Sequence, residues 1–527
     1  MGVAGGWRAL LGGGMVALGC SPATPAPIGE VVLTVDTDAP VPTLASRLRV
    51  DMFDASGTWF ASRDFGLPDP SDWPTSFAVS APGDGGAATV TVRLRAYPDG
   101  QVRDYLGETF QDWPAPAPGG DPGTIVPTPT PPAGATPRLY DGSQDVTPAT
   151  EPQPLVTIDR LLRVTVVHGL LQGAAVVMRG ACFATMADMA EDTTCVDTEA
   201  TRVADADLPL SAPPPAQPAP LVGTFGASAC TATPRTGTTA PDGTPLHDAE
   251  VCVPGGAFVF GDGATPTIPA DPVSSAPQRI AVVPSLLVDT YEMTVARYRA
   301  ILAGGFTGPP GPPGVLANDA AIPSGASSLT DETNLPYCTY SDQPMGRETM
   351  PLTCASWATA RAVCQFLGGD LPTEAEWEYV SAQAGRPSKT RYPWGDATPT
   401  CPQAVFARGV DGVTSAPDVC ADLGFGPQPV GSAGDVSTGL GVIDLAGSAT
   451  EWTLDAAESL ASQCWMSAPL EAPSCQIAGA SSYSLRGAAW LTPFLAPVTL
   501  LATTRARGSP AGNAAVGFRC TREGGGS

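Results

Sequence analysis

The sequence has little charge and almost no histidine. Only 15% of its 527 residues are charged, against about a quarter in ordinary globular proteins. The two histidines, His168 and His247, exclude a metal site built on three imidazoles. Acidic residues outnumber basic ones by 52 to 27, which gives a net charge of −25 at pH 7. Because phosphate groups are bound by clusters of Lys and Arg, and no such cluster occurs, we expect neither nucleic acid nor an anionic membrane surface as a partner.

Long hydrophobic runs are missing after the first twenty residues. No later segment approaches the about 18 apolar residues that a membrane-spanning helix needs. Residues 1–20 indicate an export signal, since Arg8 is followed by an apolar stretch and then by residues 17–20 (ALGC). This ending is similar to a lipobox, whose cysteine becomes lipid-modified; an ordinary signal peptide with a nearby cleavage site is the alternative. We therefore expect a lipid on Cys20 as the only membrane contact, with Ser21 favouring the outer membrane of the cell envelope.

The cysteines lack C-x-x-C spacing, which argues against a zinc ribbon or a thioredoxin-like centre. Of the thirteen cysteines, twelve remain when Cys20 is set aside for the lipid, an even number that can form six disulfides. Disulfides agree with export, because they persist in oxidising compartments. Closeness in sequence favours the pairs Cys182–Cys195, Cys401–Cys420 and Cys464–Cys475.

Glycine and proline are abundant, with 59 and 58 residues, which favours turn-rich β structure and linkers. Several segments of the first half alternate between apolar and polar residues; residues 47–53, for example, place Leu48, Val50 and Met52 on one face. Similar alternation follows at 89–97, 161–167 and 174–178. Alternation with turn residues between the runs is typical of an antiparallel sandwich.

These features predict an order of segments along the chain. A lipoprotein signal peptide occupies 1–20, a tether 21–28, one or two β-sandwich-like domains 29–206 with a Pro-rich insertion at 114–137, a Pro-rich linker 207–249, and a last domain 250–522.

The last domain carries an ordered series of short motifs. They are 254–258 (PGGAF), 288–295 (VDTYEMTV), 371–379 (LPTEAEWEY), 392–396 (YPWGD), 444–452 (DLAGSATEW), 485–487 (LRG) and 517–520 (GFRC). This ordered set resembles the formylglycine-generating enzyme, or sulfatase-modifying factor, family. The resemblance implies an α+β, C-type-lectin-like fold with much irregular structure, which the Gly and Pro content suits. It also implies a disulfide between Cys364 and Cys520.

The glutamates of the 371–379 motif have a structural explanation. Thr373 and Glu376 have the spacing of a capping box, in which each side chain satisfies a free N–H group at the start of a helix. The alternative is that Glu374, Glu376 and Glu378 act as acids or metal ligands. We interpret them as capping residues and a solvated helix face.

The cysteines that perform the chemistry of the family are absent. In its active members two cysteines, five residues apart, follow an R-G-G-S motif and bind copper as thiolates. Here the segment 486–497 reads RGAAWLTPFLAP, so that Thr492 and Pro497 occupy the two cysteine positions and Ala489 the serine position. Since Cu(I) requires soft ligands, we expect no copper and no formylglycine generation.

The family also binds calcium near a G-N-x-W-E-W turn, which corresponds to residues 447–452 (GSATEW). The resemblance implies that Glu451 and the carbonyls of Gly447 and Ala449 supply oxygen ligands, which calcium prefers. Ser448 and Thr450 replace the usual Asn and first Trp of this turn.

Together these features predict a cell-envelope lipoprotein whose last domain is a pseudoenzyme that serves as a binding or structural module. A groove that holds a substrate peptide can hold a peptide, a glycan or an envelope protein without chemistry. The alternative is an enzyme of the same superfamily with a non-copper mechanism in the same groove. No Ser-His-Asp, Cys-His or paired-carboxylate arrangement in the sequence favours it.

Overall fold

The computed structural model describes most of the chain from residue 29 onward. The described ranges are 29–80, 86–104, 138–196, 202–204, 208–212, 214–215, 221–263, 273–309, 338–408, 420–423, 426–433, 439–492 and 500–525. Cys20, the predicted signal and tether, the 114–137 insertion and Pro497 lie outside these ranges. In the described part of the chain, no helix has the length and apolar character needed to cross a membrane.

The N-terminal half is built from strands and short 3-10 helices. The strands are β1 (Glu30–Thr37), β2 (Arg47–Phe53), β3 (Trp59–Gly66), β4 (Thr75–Ser80), β5 (Ala87–Tyr97), β6 (Val102–Asp104), β7 (Tyr140–Asp141), β8 (Gln144–Asp145), β9 (Thr150–Pro152), β10 (Ile158–Val167), β11 (Leu171–Met178), β12 (Thr193–Cys195) and β13 (Arg202–Ala204). The 3-10 helices are Pro70–Asp72, Pro154–Val156 and Gly180–Cys182.

Two larger sheets organise this half, with strand orders β11-β1-β4 and β10-β5-β2-β3. Pairing is antiparallel as expected, except that β1 runs parallel to β11. Parallel neighbours require a long crossover connection, and here all of β2 to β10 lies between them. The alternating residues Leu48, Val50 and Met52 are buried with residues of β1, such as Leu33, in one hydrophobic core.

The opposite face of β2 and β5 is also buried, by an ion-pair network that the alternation did not predict. Arg95 contacts Asp51 at 2.6 Å and Glu151 at 3.4 Å, and Arg93 pairs with Asp159. These side chains are almost inaccessible to solvent. Because Glu151 belongs to β9, that strand covers this face.

The C-terminal half has short strands, few helices and long irregular connections, which confirms the predicted α+β class. Its elements are β14 (Glu250–Val253), β15 (Gly256–Phe260), β16 (Arg279–Val283), β17 (Leu286–Asp289), α1 (Val295–Ala303), α2 (Trp357–Phe366), α3 (Glu374–Ala382), a 3-10 helix (Ala421–Leu423), β18 (Thr450–Ala456), α4 (Gln463–Met466), β19 (Tyr483–Arg486), β20 (Ala506–Gly508), β21 (Val516–Gly517) and β22 (Thr521–Glu523). The sheets have the orders β14-β17-β22, β15-β16 and β20-β19-β18-β21.

Six disulfides join the twelve cysteines of the described ranges. The three pairs predicted from closeness in sequence are present, as are Cys230–Cys252 and Cys338–Cys354. Cys364 and Cys520, the pair that the resemblance implied, are also bonded. The bond ties α2 to the residue before β22 and closes a sequence separation of 156.

The two halves pack against each other through one hydrophobic core. Val259 and Val282 of the C-terminal half are buried in the same cluster as Leu33 and Val50. Part of the predicted 207–249 linker joins this contact, since the N–H of Phe225 donates to the carbonyl of Asp38 at 2.9 Å. Cavities and contacts between the halves are therefore part of the fold.

Candidate functional site

The segment in which the resemblance places the copper ligands begins where β19 ends. Gly487 has φ +96° and Ala488 φ +62°, so two successive left-handed residues turn the chain away from the sheet. A side chain at Gly487 would lie 2.9 Å from the carbonyl oxygen of Leu445, which explains why this motif needs glycine. The Gly487 carbonyl accepts a hydrogen bond from the N–H of Gly447 at 2.8 Å, which joins the segment to the 447–452 turn.

Thr492 closes a tight turn in this segment. Its hydroxyl accepts a hydrogen bond from the N–H of Ala489 at 2.8 Å, and its own N–H donates to the Ala489 carbonyl at 2.9 Å. Its carbonyl accepts from the N–H of Ala407 at 3.0 Å. At the first predicted cysteine position the structure therefore places a neutral hydroxyl that stabilises the backbone. Pro497, at the second position, lies outside the described residues.

The capping box predicted at the start of α3 is confirmed. The Thr373 N–H donates to the Glu376 carboxylate at 2.7 Å, and the Glu376 N–H donates to the Thr373 hydroxyl at 3.1 Å. Burial raises the pKa of Glu376, against the opposing effect of its bonds to Thr373.

The prediction of a solvated face for Glu374 and Glu378 is wrong. Both are fully buried, because α3 is enclosed on almost every side. The Arg505 Nε lies 2.6 Å and the Arg486 Nε 3.0 Å from one Glu374 oxygen. Arg486 also reaches Glu378 at 3.0 Å, and Lys389 lies 2.6 Å from the other Glu378 oxygen. These cations neutralise both carboxylates and make them structural.

The pKa of Glu374 shows which effect dominates in this cluster. Burial alone would raise it, but the charges of Arg505 and Arg486 hold it below its usual value. Glu374 is therefore ionised at neutral pH and cannot act as a general acid there.

Glu451 is also fully buried, and both of its carboxylate oxygens have donors. Arg519 approaches one oxygen at 2.6 Å through Nη2 and the other at 2.8 Å through Nε. The indole N–H of Trp377 donates to the second oxygen at 2.9 Å. A guanidinium thus balances the charge of this carboxylate.

Comparisons with known proteins identify the family of this chain. Residues 236–524, more than half of the chain, match the family described as Sulfatase-modifying factor enzyme 1-like domain. The chain belongs to this family. The match begins at residue 236, before the predicted domain boundary at residue 250. It therefore includes Cys252 but not its disulfide partner Cys230.

Some relatives of this sulfatase-modifying-factor-like chain are named as enzymes, and others are named as inactive. The formylglycine-generating enzyme of Thermomonospora curvata is 29% identical over 39% of this chain and 70% of its own length. The inactive C-alpha-formylglycine-generating enzyme 2 of Mus musculus is 30% identical over 33% of this chain. The hercynine oxygenase of Mycolicibacterium smegmatis is 29% identical over 41% of this chain. The matches span 50% and 48% of the last two proteins. Family membership alone therefore predicts neither activity nor its absence.

A solved structure, that of PvdO from Pseudomonas aeruginosa, aligns with 56% of this chain and 100% of its own at 19% identity. Its TM-score is 0.37, which is too low to support an argument about the site.

The residues of the sulfatase-modifying-factor-like domain do not fit the calcium site that the resemblance implied. Calcium binding by Glu451 would require a cation beside a carboxylate that Arg519 already neutralises. The other two expected ligands are the carbonyl oxygens of Gly447 and Ala449, which carry no net charge. Within the described ranges, no group of three His, Cys, Asp or Glu side chains is arranged to hold a metal.

Sequence reasoning missed two buried carboxylates beside Glu451. Glu292 is fully buried; one of its oxygens accepts from Ala449, and the other has no partner among the described atoms. Burial, and then the charges of Asp444 and Glu451, raise the pKa of Glu292 well above 4.5. Burial raises the pKa of Asp444 to about 6. The motifs YEMT and DLAG contain these residues, but nothing local in either motif indicates that the side chains meet.

Proposed function

We propose that this protein is a non-catalytic member of the sulfatase-modifying factor family, whose domain serves as a binding or structural module in the cell envelope. The observation that carries the proposal is the hydrogen bond from the Ala489 N–H to the Thr492 hydroxyl. It gives the residue at the first copper-ligand position a role in the backbone turn.

The chemistry of the position supports the same conclusion. A threonine hydroxyl is a hard, neutral oxygen donor, whereas Cu(I) is held by soft thiolates. The twelve cysteines of the described ranges are all in disulfides, and only a free thiolate binds metal or exchanges with a substrate cysteine. Since Pro497 has no side-chain donor atom, the pair of ligands is missing in the sequence itself.

The envelope location rests on independent features. The 17–20 segment (ALGC) resembles a lipobox, and Ser21 after the cysteine favours the outer membrane. Six disulfides agree with an oxidising compartment. We propose that a lipid on Cys20 holds the protein to the membrane while the domain presents its surface to a peptide, a glycan or another envelope protein.

Copper binding tests the non-catalytic proposal without a substrate. Cu(I) is titrated into the non-reduced protein in competition with a chromogenic chelator, with the Thermomonospora curvata relative as the positive control. We expect no stoichiometric binding by the native chain. Binding of one Cu(I) per chain in competition with the chelator would overturn the ligand argument on which the proposal rests.

A further inference from the structure

A cavity of about 210 Å³ lies between the two halves of the molecule. The N-terminal half contributes the loop after β9 and the segment after β11, and the C-terminal half contributes β16 and the region around α4. Most of the lining is apolar: Leu155, Ala181, Phe183, Ala184, Pro277, Ile280, Leu460, Met466, Ala468 and Leu470, with Thr185 and Arg279 as the polar members.

Arg279, at the start of β16, is the charged residue of this lining. Its Nη1 donates to the carbonyl of Trp465, and its Nη2 lies 2.8 Å from the carbonyl of Ala468 and 3.4 Å from that of Pro469. These carbonyls belong to the end of α4 and the residues after it. They hold the guanidinium in one position in the cavity wall.

Among the described residues, no acid balances the charge of Arg279. No carboxylate of the described ranges forms an ion pair with it, and its Nε–H is buried without an acceptor there. Burial lowers the pKa of Arg279 to about 10, so that it stays protonated at neutral pH. The fully buried arginines of the core, Arg486, Arg505 and Arg519, each have a carboxylate partner, whereas Arg279 is partly buried.

Arg279 is partly buried, so water screens part of its charge, but a cation in a mostly apolar wall still attracts an anion more strongly than one in water. Carbonyl dipoles carry only partial charge, so they compensate Arg279 less than the carboxylates compensate the other three arginines. An anion that entered the cavity would meet a positioned cation and apolar walls. A site with an apolar body and one convergent polar group is the usual form of a small-molecule site.

We propose that this cavity binds a small organic acid, with its carboxylate facing the guanidinium of Arg279 and its apolar body against Leu155, Phe183 and Leu470. The volume restricts the ligand, since it equals roughly seven liquid waters at about 30 Å³ each. That is enough for a monocarboxylate of roughly ten non-hydrogen atoms or fewer. The proposal does not depend on the proposed function, because the cavity lies between the halves and shares no residue with the Thr492 turn.

The test is titration calorimetry of the full chain with hexanoate and with the neutral analogue 1-hexanol. We expect hexanoate to bind with a dissociation constant at or below about 1 mM, as a ligand of this size can, and 1-hexanol to bind at least tenfold more weakly. No binding of hexanoate, or equal affinities for the acid and the alcohol, would overturn the proposal.

Three variants locate the site. Arg279→Gln removes the charge and should weaken hexanoate binding at least tenfold. Arg63→Gln removes the charge of an exposed arginine on β3, and it should leave the affinity unchanged. Ala468→Leu keeps Arg279 but fills the cavity, so it should also abolish binding, which tests the cavity independently of the charge. Unaltered binding by Ala468→Leu would place the ligand elsewhere and contradict the assignment.

Discussion

Arg519 and Glu451 form a fully buried ion pair in which the guanidinium contacts both carboxylate oxygens, at 2.6 and 2.8 Å. The pair joins the final GFRC motif to the DLAGSATEW motif, 68 residues apart along the chain. Arg519 also donates to the carbonyls of Ile443 and Asp444 at 2.9 and 3.2 Å. One arginine therefore holds β18 and the preceding loop together.

Replacing Glu451 should strongly destabilise the domain. Glu451→Ala leaves Arg519 as an uncompensated buried cation, which should lower the free energy of unfolding by about 3–5 kcal/mol. Urea denaturation followed by tryptophan fluorescence measures the change. Asp192→Asn, at an exposed pair with Arg163, is the control and should cost less than about 1 kcal/mol. Equal costs for the two variants would show that the buried pair does not stabilise the fold.

Glu292 should make stability depend on pH. Its pKa is raised in the folded protein, so the folded state keeps a proton that the unfolded state loses above its ordinary pKa. The stability contributed by Glu292 is therefore complete below about pH 4.5 and decreases as the pH rises toward the folded pKa. Glu292→Gln keeps an oxygen acceptor for the Ala449 N–H and cannot ionise.

The free energy of unfolding of Glu292→Gln, relative to the native chain, should therefore increase between pH 5 and pH 8, by at most about 1.4 kcal/mol per pH unit. Denaturation curves at pH 5, 6.5 and 8 measure this. Glu292→Ala is the control, because it removes the acceptor for Ala449 and should be less stable than Glu292→Gln at all three values. If the difference in the free energy of unfolding between Glu292→Gln and the native chain stays constant with pH, the account is contradicted.

The Cys364–Cys520 disulfide should contribute more stability than Cys464–Cys475. The two bonds close sequence separations of 156 and 11, for which the chain-entropy relation gives about 5 and about 3 kcal/mol. Double Cys→Ala variants at each pair, compared by urea denaturation, test the order. A larger loss for the short loop would contradict the entropic explanation.

The proposed lipid anchor depends on a single residue, Cys20. Cys20→Ser should move the protein from the membrane fraction to the soluble fraction of the envelope, because lipid modification requires the thiol. Fractionation of cells that express either form, followed by immunoblotting, measures the distribution. Ser21→Ala is the control and should remain in the membrane. Membrane association that is unchanged in Cys20→Ser would exclude a lipid anchor at this position.

Features that depend on nearby residues could be predicted from the sequence. The Thr373–Glu376 capping box involves two residues three positions apart, and the apolar face of β2 follows from alternation. Three of the five short disulfides follow from closeness along the chain. Each of these is determined by local geometry, which the sequence shows directly.

Features that depend on distant residues could not be predicted in this way. Glu374 and Glu378 resemble a solvated helix face until Arg486 and Arg505 are known to lie beside them, and those residues are more than a hundred positions away. Arg49 and Arg95 likewise resemble exposed residues of a strand, although Asp51 and Glu151 allow them to be buried. The cavity beside Arg279 arises only because the two halves pack together.

The most direct test of the central claim is a turnover assay on a Cys-x-Pro-x-Arg peptide in air with added copper, read as the mass change from cysteine to formylglycine. We predict no conversion by the native chain, because Thr492 stabilises a backbone turn and supplies no thiolate. The Thermomonospora curvata enzyme, under the same conditions, is the positive control. Conversion of the peptide by the unmodified chain would contradict the assignment of Thr492 and Pro497 to the copper-ligand positions and the non-catalytic function with it.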